Sequence, residues 1–140
     1  MNRTIKFRGK RLDNGEWVYG DLEYNRAKNI ARIHTYDEDG EYLIQHSVDP
    51  ATVGQFTGLL DKNGKEIYEG DILMLGSSDA GICEVKWNES QLAFCIRFYY
   101  ERNLGTRPLG AWARDGKNIA ILGNIHDNPE LLNEKLYEKL

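Results

Sequence analysis

The stretch from residue 48 to residue 73 constrains the fold of this chain more than any other part of it. It holds Asp61-Lys62-Asn63-Gly64 between two strand-like runs, and asparagine and glycine adopt left-handed backbone at little cost, which predicts a tight hairpin turn. Gly70-Asp71 then precedes an apolar run, where glycine permits a sharp bend and the carboxylate can accept bonds from nearby backbone amides. We therefore assign structural turn roles to Gly58, Asn63, Gly64, Gly70 and Asp71.

Short alternating runs predict further antiparallel strands. Residues 3–9 and 16–24 flank Asp13-Asn14-Gly15 and are predicted to form one hairpin, and residues 31–34 and 42–45 flank an acidic turn and are predicted to form a second. Other strand candidates are residues 82–87, 92–99 and 118–125. Fourteen glycines and only three prolines are typical of short strands joined by glycine turns. We therefore predict a mainly β fold, a small, strongly bent antiparallel barrel or roll with extra hairpins. The predicted core contains Ile5, Trp17, Val53, Phe56, Ile72, Val85, Trp87 and Phe94.

The end of the chain predicts a short α-helix over residues 128–140. Asn128 can cap it, Pro129 fits its first turn, and Glu130 suits the positive end of the helix dipole. A helix of about three turns is not stable alone, so its apolar stripe must dock on the domain or on a neighbouring subunit. Because the predicted core is already supplied, we expect the stripe to contribute to a homo-oligomer. The stripe consists of Leu131, Leu132, Leu136 and Leu140.

Length and residue content restrict the class of protein. A chain of 140 residues fits one domain, and we expect a single β-rich domain over residues 1–127 followed by the helix. No apolar run approaches the roughly 20 residues of a membrane helix, and the first residues carry no apolar leader. We therefore expect a cytoplasmic protein without membrane contact. Cys83 and Cys95 lie in apolar runs and are predicted to be reduced, buried thiols.

No arrangement of residue types in the sequence points to catalysis or to a cofactor. His34, His46 and His126 have no partner at the spacing of metal ligands. The acidic run at residues 37–41 lacks the alternating ligands and final glutamate of a calcium loop. Residues 76–81 have the composition of a turn between strands, although such a loop could hold a phosphate. We expect no enzyme, no metal and no cofactor.

Charge is distributed unevenly along a chain whose net charge is −4. Residues 1–12 carry five basic and no acidic residues, residues 13–85 carry five basic and fifteen acidic ones, and residues 86–117 carry six basic and three acidic ones. In the last segment arginines alternate with aromatics, which suits phosphate contact and base stacking, a protein interface, or an ordinary mixed surface. The candidate interaction residues are Arg97, Tyr99, Tyr100, Arg102, Arg107, Trp112 and Arg114.

Long motifs in order along nearly the whole chain closely resemble the YopX protein family. They are Ile5-Lys6-Phe7-Arg8-Gly9-Lys10, Trp17-Val18-Tyr19-Gly20, residues 48–72, Val85-Lys86-Trp87 and Gly123-Asn124-Ile125-His126-Asp127-Asn128-Pro129-Glu130-Leu131-Leu132. The resemblance implies a protein of an uncharacterised family that phages and prophages of bacteria encode, with a fold of the SH3-barrel-like class. It brings no catalytic residues with it.

Three functions from different classes remain open on these observations. We expect a non-catalytic interaction module that self-associates in the cytoplasm of a bacterial host and that could also bind a host or phage protein. The alternative is a nucleic-acid-associated accessory protein that uses the arginine and aromatic residues of residues 97–114. An enzyme is the third class, and it has no positive support in the sequence.

Overall fold

The computed structural model describes residues 2–41, 43–76, 81–98, 106–112 and 118–132 of the chain. The chain divides into two compact units, Met1–Phe56 and Thr57–Leu140. One strand, Gly54–Leu60, has its first residues in the first unit and the rest in the second. The expected single domain over residues 1–127 stays a prediction, because compactness alone does not show whether either unit folds without the other.

Antiparallel β-strands dominate the described residues, as the sequence predicts. The first unit contains β1 (Phe7–Lys10), β2 (Trp17–Asn25), β3 (Ile30–Tyr36), β4 (Leu43–Val48), a 3-10 helix (Pro50–Thr52) and the start of β5 (Gly54–Leu60). The second unit contains the rest of β5, then β6 (Glu66–Tyr68), β7 (Asp71–Leu75), β8 (Ile82–Asn88), β9 (Ala93–Phe98), β10 (Thr106–Pro108), α1 (Leu109–Trp112), β11 (Ile119–Asn124) and a 3-10 helix (Pro129–Leu132).

The first unit is a meander in which neighbouring strands follow the order β4-β3-β2-β1-β5. Both predicted hairpins are confirmed, because β1 pairs with β2 and β3 pairs with β4 in antiparallel register. Side chains alternate between the two faces of a strand, so one face of the meander collects the apolar residues. The buried centre is formed by Ala31, Ile33 and Val48, with Phe7, Val18, Leu22 and Val53 packed against it.

The end of β1 bends back to the end of β4. Arg11 forms an isolated antiparallel bridge with Val48, and Leu12 donates its backbone N–H to the carbonyl of Ser47 at 3.0 Å. The close approach depends on Gly9, where a Cβ would lie 2.9 Å from Cγ2 of Val48. The predicted strong bend is therefore present. No ladder of bonds closes a barrel in the described part of the chain, and an SH3-like fold is not confirmed.

The second unit holds a five-stranded antiparallel sheet in the order β10-β9-β8-β7-β11, and β6 lies beside β5. The pairing of β7 with β11 shifts register between Ile121 and Gly123, which is a bulge on the edge strand. The buried cluster of this unit is Ile67, Leu73, Cys83, Val85, Ile96, Leu109 and Ile119.

The predicted turn glycines adopt the backbone that only glycine takes easily. Gly58, Gly64 and Gly70 have φ values of 90°, 80° and 92°, but Gly58 lies inside β5, so its predicted role in a turn is wrong. The turn at residues 61–64 differs in one respect from the prediction. Within this turn Gly64 adopts left-handed backbone, whereas Asn63 does not. The N–H of Gly64 donates to the carbonyl of Asp61 at 3.0 Å. The pattern is that of a type I turn followed by a left-handed glycine.

The corner at Gly70-Asp71 forms as the sequence predicts. The backbone N–H of Tyr68 donates to Oδ2 of Asp71 at 2.7 Å, and Asp71 is 2% exposed. Gly70 donates its N–H to the carbonyl of Val85 at 2.9 Å and accepts from the N–H of Ile125 at 2.9 Å. One corner residue thus connects β8 to the segment that follows β11.

Asp61 is a structural residue that the sequence analysis did not single out. Its Oδ1 accepts from the N–H groups of Asn63 and Lys65 at 2.8 and 2.9 Å, and its Oδ2 accepts from the N–H of Ile121 at 3.2 Å. Burial opposes ionisation of this carboxyl, but the three backbone hydrogen bonds outweigh burial and hold the pKa of Asp61 below its usual value. The carboxylate therefore ties the hairpin turn to the edge strand β11.

The predicted C-terminal α-helix is wrong over its described part. Residues 129–132 form a 3-10 helix, in which the N–H of Leu131 donates to the carbonyl of Asn128 at 3.1 Å. The side-chain Oδ1 of Asn128, the predicted cap, accepts from the N–H of the preceding Asn124 at 3.3 Å. Leu131 and Leu132 are half-buried, while Leu136 and Leu140 lie outside the described residues.

The predicted core is partly confirmed. Phe56, Ile72 and Val85 are buried. Trp17, Val53 and Phe94 are half-buried. Ile5 and Trp87 are 38% and 42% exposed, so their predicted burial is wrong. Ile5 precedes β1 and lacks a strand partner, and Trp87 rests edge-on against Phe94 near the end of β8, with ring centroids 5.2 Å apart.

Candidate interaction surface

The predicted arginine and aromatic residues are only partly within the described structure. Arg97 on β9 and Arg107 on β10 are both exposed. Arg97 pairs with Thr106 and Arg107 pairs with Ile96, and since paired residues share a face, the two arginines lie on opposite faces of the sheet. Trp112 ends α1, and its side chain lies outside the described structure, as do Tyr99, Tyr100, Arg102 and Arg114.

The cysteines are buried, as predicted. Burial raises the pKa of the Cys83 thiol to about 12 and also raises the pKa of Cys95, so neither is a thiolate at neutral pH.

His34 and His46 contact other side chains. Nε2 of His34 lies 2.7 Å from Oε2 of Glu23, and Nε2 of His46 lies 3.0 Å from Oγ1 of Thr35. Within the described ranges, no cluster of three or more His, Cys, Asp or Glu side chains could hold a metal ion.

An exposed mixed face runs across β2, β3 and β4 of the first unit, opposite the buried cluster. Strand pairing places Asp21, His34 and Gln45 in one row across this face and Glu23, Arg32 and Ser47 in the next. Alternation puts Tyr19 and Tyr36 on the same face, where Tyr36 pairs with Leu43. We call this the outer face; its large exposed side chains are Tyr19, Tyr36 and Leu43, exposed by 45%, 61% and 47%.

The charged part of the outer face is organised around Glu23. Its carboxylate contacts His34 at 2.7 Å and Arg32 at 3.4 Å. The hydrogen bond from His34 has the largest influence on the pKa of Glu23. Together with the charge of Arg32 it lowers this pKa, and desolvation opposes it with a smaller effect. Because the carboxylate is exposed, these contacts orient side chains on the surface and add little stability.

The outer edge of β4 is open along part of its length. The carbonyl of Ser47 accepts from Leu12, so Ser47 directs its backbone groups away from β3. Backbone direction alternates along an antiparallel strand, so Leu43 and Gln45 also direct their N–H and C=O groups outward. In the described part of the chain, no backbone group bonds to those of Leu43 and Gln45 on that side. We call residues 43–45 the open edge.

The side chains of the open edge do not protect it. Proteins commonly shield such an edge with lysine, proline, a bulge or a covering loop. β4 contains neither lysine nor proline, and Leu43 and Ile44 are 47% and 44% exposed. By contrast, the edge strand β11 carries a bulge and is covered by the turn at Asp61, where Lys62 donates its N–H to the carbonyl of Ile119 at 2.8 Å.

The two ends of this three-stranded region carry opposite charge. The turn between β2 and β3 holds Arg26 and Lys28, at the end where β4 finishes, and the turn between β3 and β4 holds Asp37, Glu38, Asp39 and Glu41. The charge summed over residues 13–85 conceals this separation, because that range contains both turns. Charge counted turn by turn would have revealed it, since the two turns are only about ten residues apart, the spacing of a strand and its turn.

Comparison with known proteins decides the family. The family model described as YopX protein matches residues 6–133. The chain belongs to the YopX protein family. Among solved structures, protein EF1440 from Enterococcus faecalis is similar, with a TM-score of 0.60 and 21% identity over 94% of this chain and 100% of that one. Protein yopX from Bacillus subtilis is similar, with a TM-score of 0.55 and 18% identity over 94% of this chain and 97% of that one.

The match to the family model confirms the resemblance seen in the sequence, and the two solved structures show a similar fold. No curated protein sequence matches the chain. In the described part of this YopX-family chain, no helix is both long enough and apolar enough to cross a membrane.

Proposed function

We propose that this YopX-family protein is a non-catalytic interaction module that self-associates. The open edge of β4 is the observation that carries the proposal. It presents unpaired backbone groups beside the exposed side chains of Leu43 and Ile44. A strand edge of this kind is a template for pairing with another chain, and the adjoining outer face adds Tyr19 and Tyr36 as exposed contact area.

The non-catalytic part of the proposal is supported by what the polar side chains contact. Thr35 and His46 form a hydroxyl–imidazole pair at 3.0 Å, but among the described residues no carboxylate bonds to His46 to orient its ring. His34 does contact a carboxylate on an exposed strand surface, but among the described residues no hydroxyl or thiol forms a hydrogen bond with its ring. Both thiols are buried and protonated at neutral pH.

Other observations bear on the cellular setting of the protein and on the alternative function in nucleic-acid binding. The family resemblance supports an origin in phages or prophages and action in the cytoplasm of a bacterial host, where a host or phage protein could be a second partner. The nucleic-acid alternative receives no comparable support, because Arg97 and Arg107 lie on opposite faces of their sheet rather than along one groove.

Sedimentation equilibrium on the full chain tests the proposal. We expect the average mass to rise from monomer toward a closed oligomer between roughly 1 and 100 micromolar, as mass action requires. Absorbance ratios before and after nuclease treatment separate self-association from bound nucleic acid. A monomer at every concentration would refute the proposed self-association.

A further inference from the structure

We infer that two copies of this chain join by antiparallel pairing of β4 with β4, about a twofold axis at Ile44. The inference rests on the proposed self-association and names the surface and the geometry that bring it about. Its partner is a second copy because the two ends of the edge complement each other in charge. A closed pair of identical strands also leaves no open edge on β4.

The backbone fixes where the axis lies. Leu43 and Gln45 direct their N–H and C=O groups outward, whereas Leu12 already occupies the carbonyl of Ser47. An axis at Ile44 sets Leu43 of each copy opposite Gln45 of the other, which forms about four main-chain hydrogen bonds. An axis at Gln45 would instead push the partner strand against Leu12.

The side chains agree with this register. Because Ile44 directs its backbone groups toward β3, an axis at this residue makes a non-hydrogen-bonded pair, the kind in which side chains approach most closely. Here that pair is Ile44 with Ile44 of the second copy, and its exposed fraction of 44% falls when the two side chains meet. Contact between two directly opposed side chains stabilises strand pairing at such a position.

The charges select the antiparallel direction. In that arrangement the acidic turn after β3 of one copy lies beside the basic turn after β2 of the other, about two strand spacings or 10 Å away. This separation is close to one Debye length at physiological salt, so the attraction survives screening in part. Parallel pairing would bring two acidic turns together.

Charge reversal at the turns tests the geometry. An acidic-turn variant carries Glu38→Lys and Asp39→Lys, and a basic-turn variant carries Arg26→Glu and Lys28→Glu; all four side chains are exposed. Each variant alone should self-associate about tenfold more weakly at low salt, because two repulsive contacts replace two attractive ones. An equimolar mixture of the two should form mixed dimers with wild-type affinity. The control Arg3→Glu with Lys62→Glu makes the same charge change as the basic-turn variant, at exposed positions elsewhere, and should behave as wild type.

A second pair of variants tests the axis. Ile44→Lys places two like charges at the axis and should abolish association, while Leu122→Lys on β11, a residue 39% exposed, should leave association unchanged. Melting temperatures verify that each variant is folded. Wild-type association in the charge variants and in Ile44→Lys overturns the β4 pairing and leaves the proposed self-association standing. A monomeric wild type overturns both.

Discussion

At the scale of single residues, Asp61 is a buried carboxylate held ionised by backbone amides. Its oxygens accept from Asn63, Lys65 and Ile121, and the residue is 5% exposed. Removing it leaves three backbone N–H groups without their acceptor, so Asp61→Ala should destabilise the protein by about 2–3 kcal/mol in urea unfolding. Asp39→Ala on the exposed acidic turn is the control and should change stability by less than about 0.5 kcal/mol.

The same carboxylate predicts a pH dependence. The folded pKa of Asp61 lies below its ordinary value of 3.8, so the unfolded chain binds the proton more readily. Its contribution to stability is complete above the ordinary value and disappears as pH falls through the lower, folded value. The stability difference between wild type and Asp61→Asn should therefore be constant near pH 7 and shrink toward about pH 2. A difference that grows on acidification would contradict the assigned hydrogen bonds.

The turn glycines give a prediction about backbone strain. Valine at Gly58, Gly64 or Gly70 must adopt a positive φ, and each substitution should cost roughly 1–3 kcal/mol in thermal melts. A Cβ at Gly58 or Gly64 would meet no atom within 4 Å, so the cost at those two positions reports strain alone. Gly110→Ala in α1, where the added Cβ also meets nothing, should not destabilise. Unchanged melting of all three valine variants would refute the positive-φ backbone assigned to these glycines.

At the scale of elements, the bend of β1 onto β4 depends on packing between Gly9 and Val48. Gly9→Ala places a methyl group 2.9 Å from Val48, which must shift, and we expect a loss of about 1–3 kcal/mol. Val48→Ala alone should cost about 2 kcal/mol or more by leaving a cavity. The double variant should lose less than the sum of both, because the cavity accepts the new methyl. Additive losses would mean that the two elements do not touch there.

The elements also show what the sequence could predict. The two hairpins of the first unit and the corner at Gly70-Asp71 depend on neighbours in the chain, and local patterns identified them. Asn128-Pro129-Glu130 also gives a helix signal, but the side chain of Asn128 bonds backward to Asn124, a competition that a capping pattern does not reveal. The covered edge at Ile121 and the open edge at Gln45 depend on distant pairings, so neither was predicted.

At the scale of the whole molecule, β5 contributes main chain to both units. Gly54 and Gln55 pair with β1, and the rest of the strand lies beside β6. We expect this continuity to make unfolding cooperative, as one domain over residues 1–127 requires. Native-state hydrogen exchange should then give the amides of Ile33 and Val85 the same opening free energy within about 1 kcal/mol. A value for Ile33 lower by more than about 2 kcal/mol would divide the chain into independently opening units.

The pairing of β7 with β11 has a consequence for how the chain folds as it leaves the ribosome. Strands β1 to β4 pair in sequential order and can assemble once Val48 has emerged. β7, however, has no partner on one side until Ile119–Asn124 has been made, and at roughly 5–20 residues per second that delay lasts seconds. During this interval a growing chain exposes the apolar edge of Ile72 and Leu73. Newly made chains on crowded polysomes are therefore most prone to aggregate just before synthesis reaches β11.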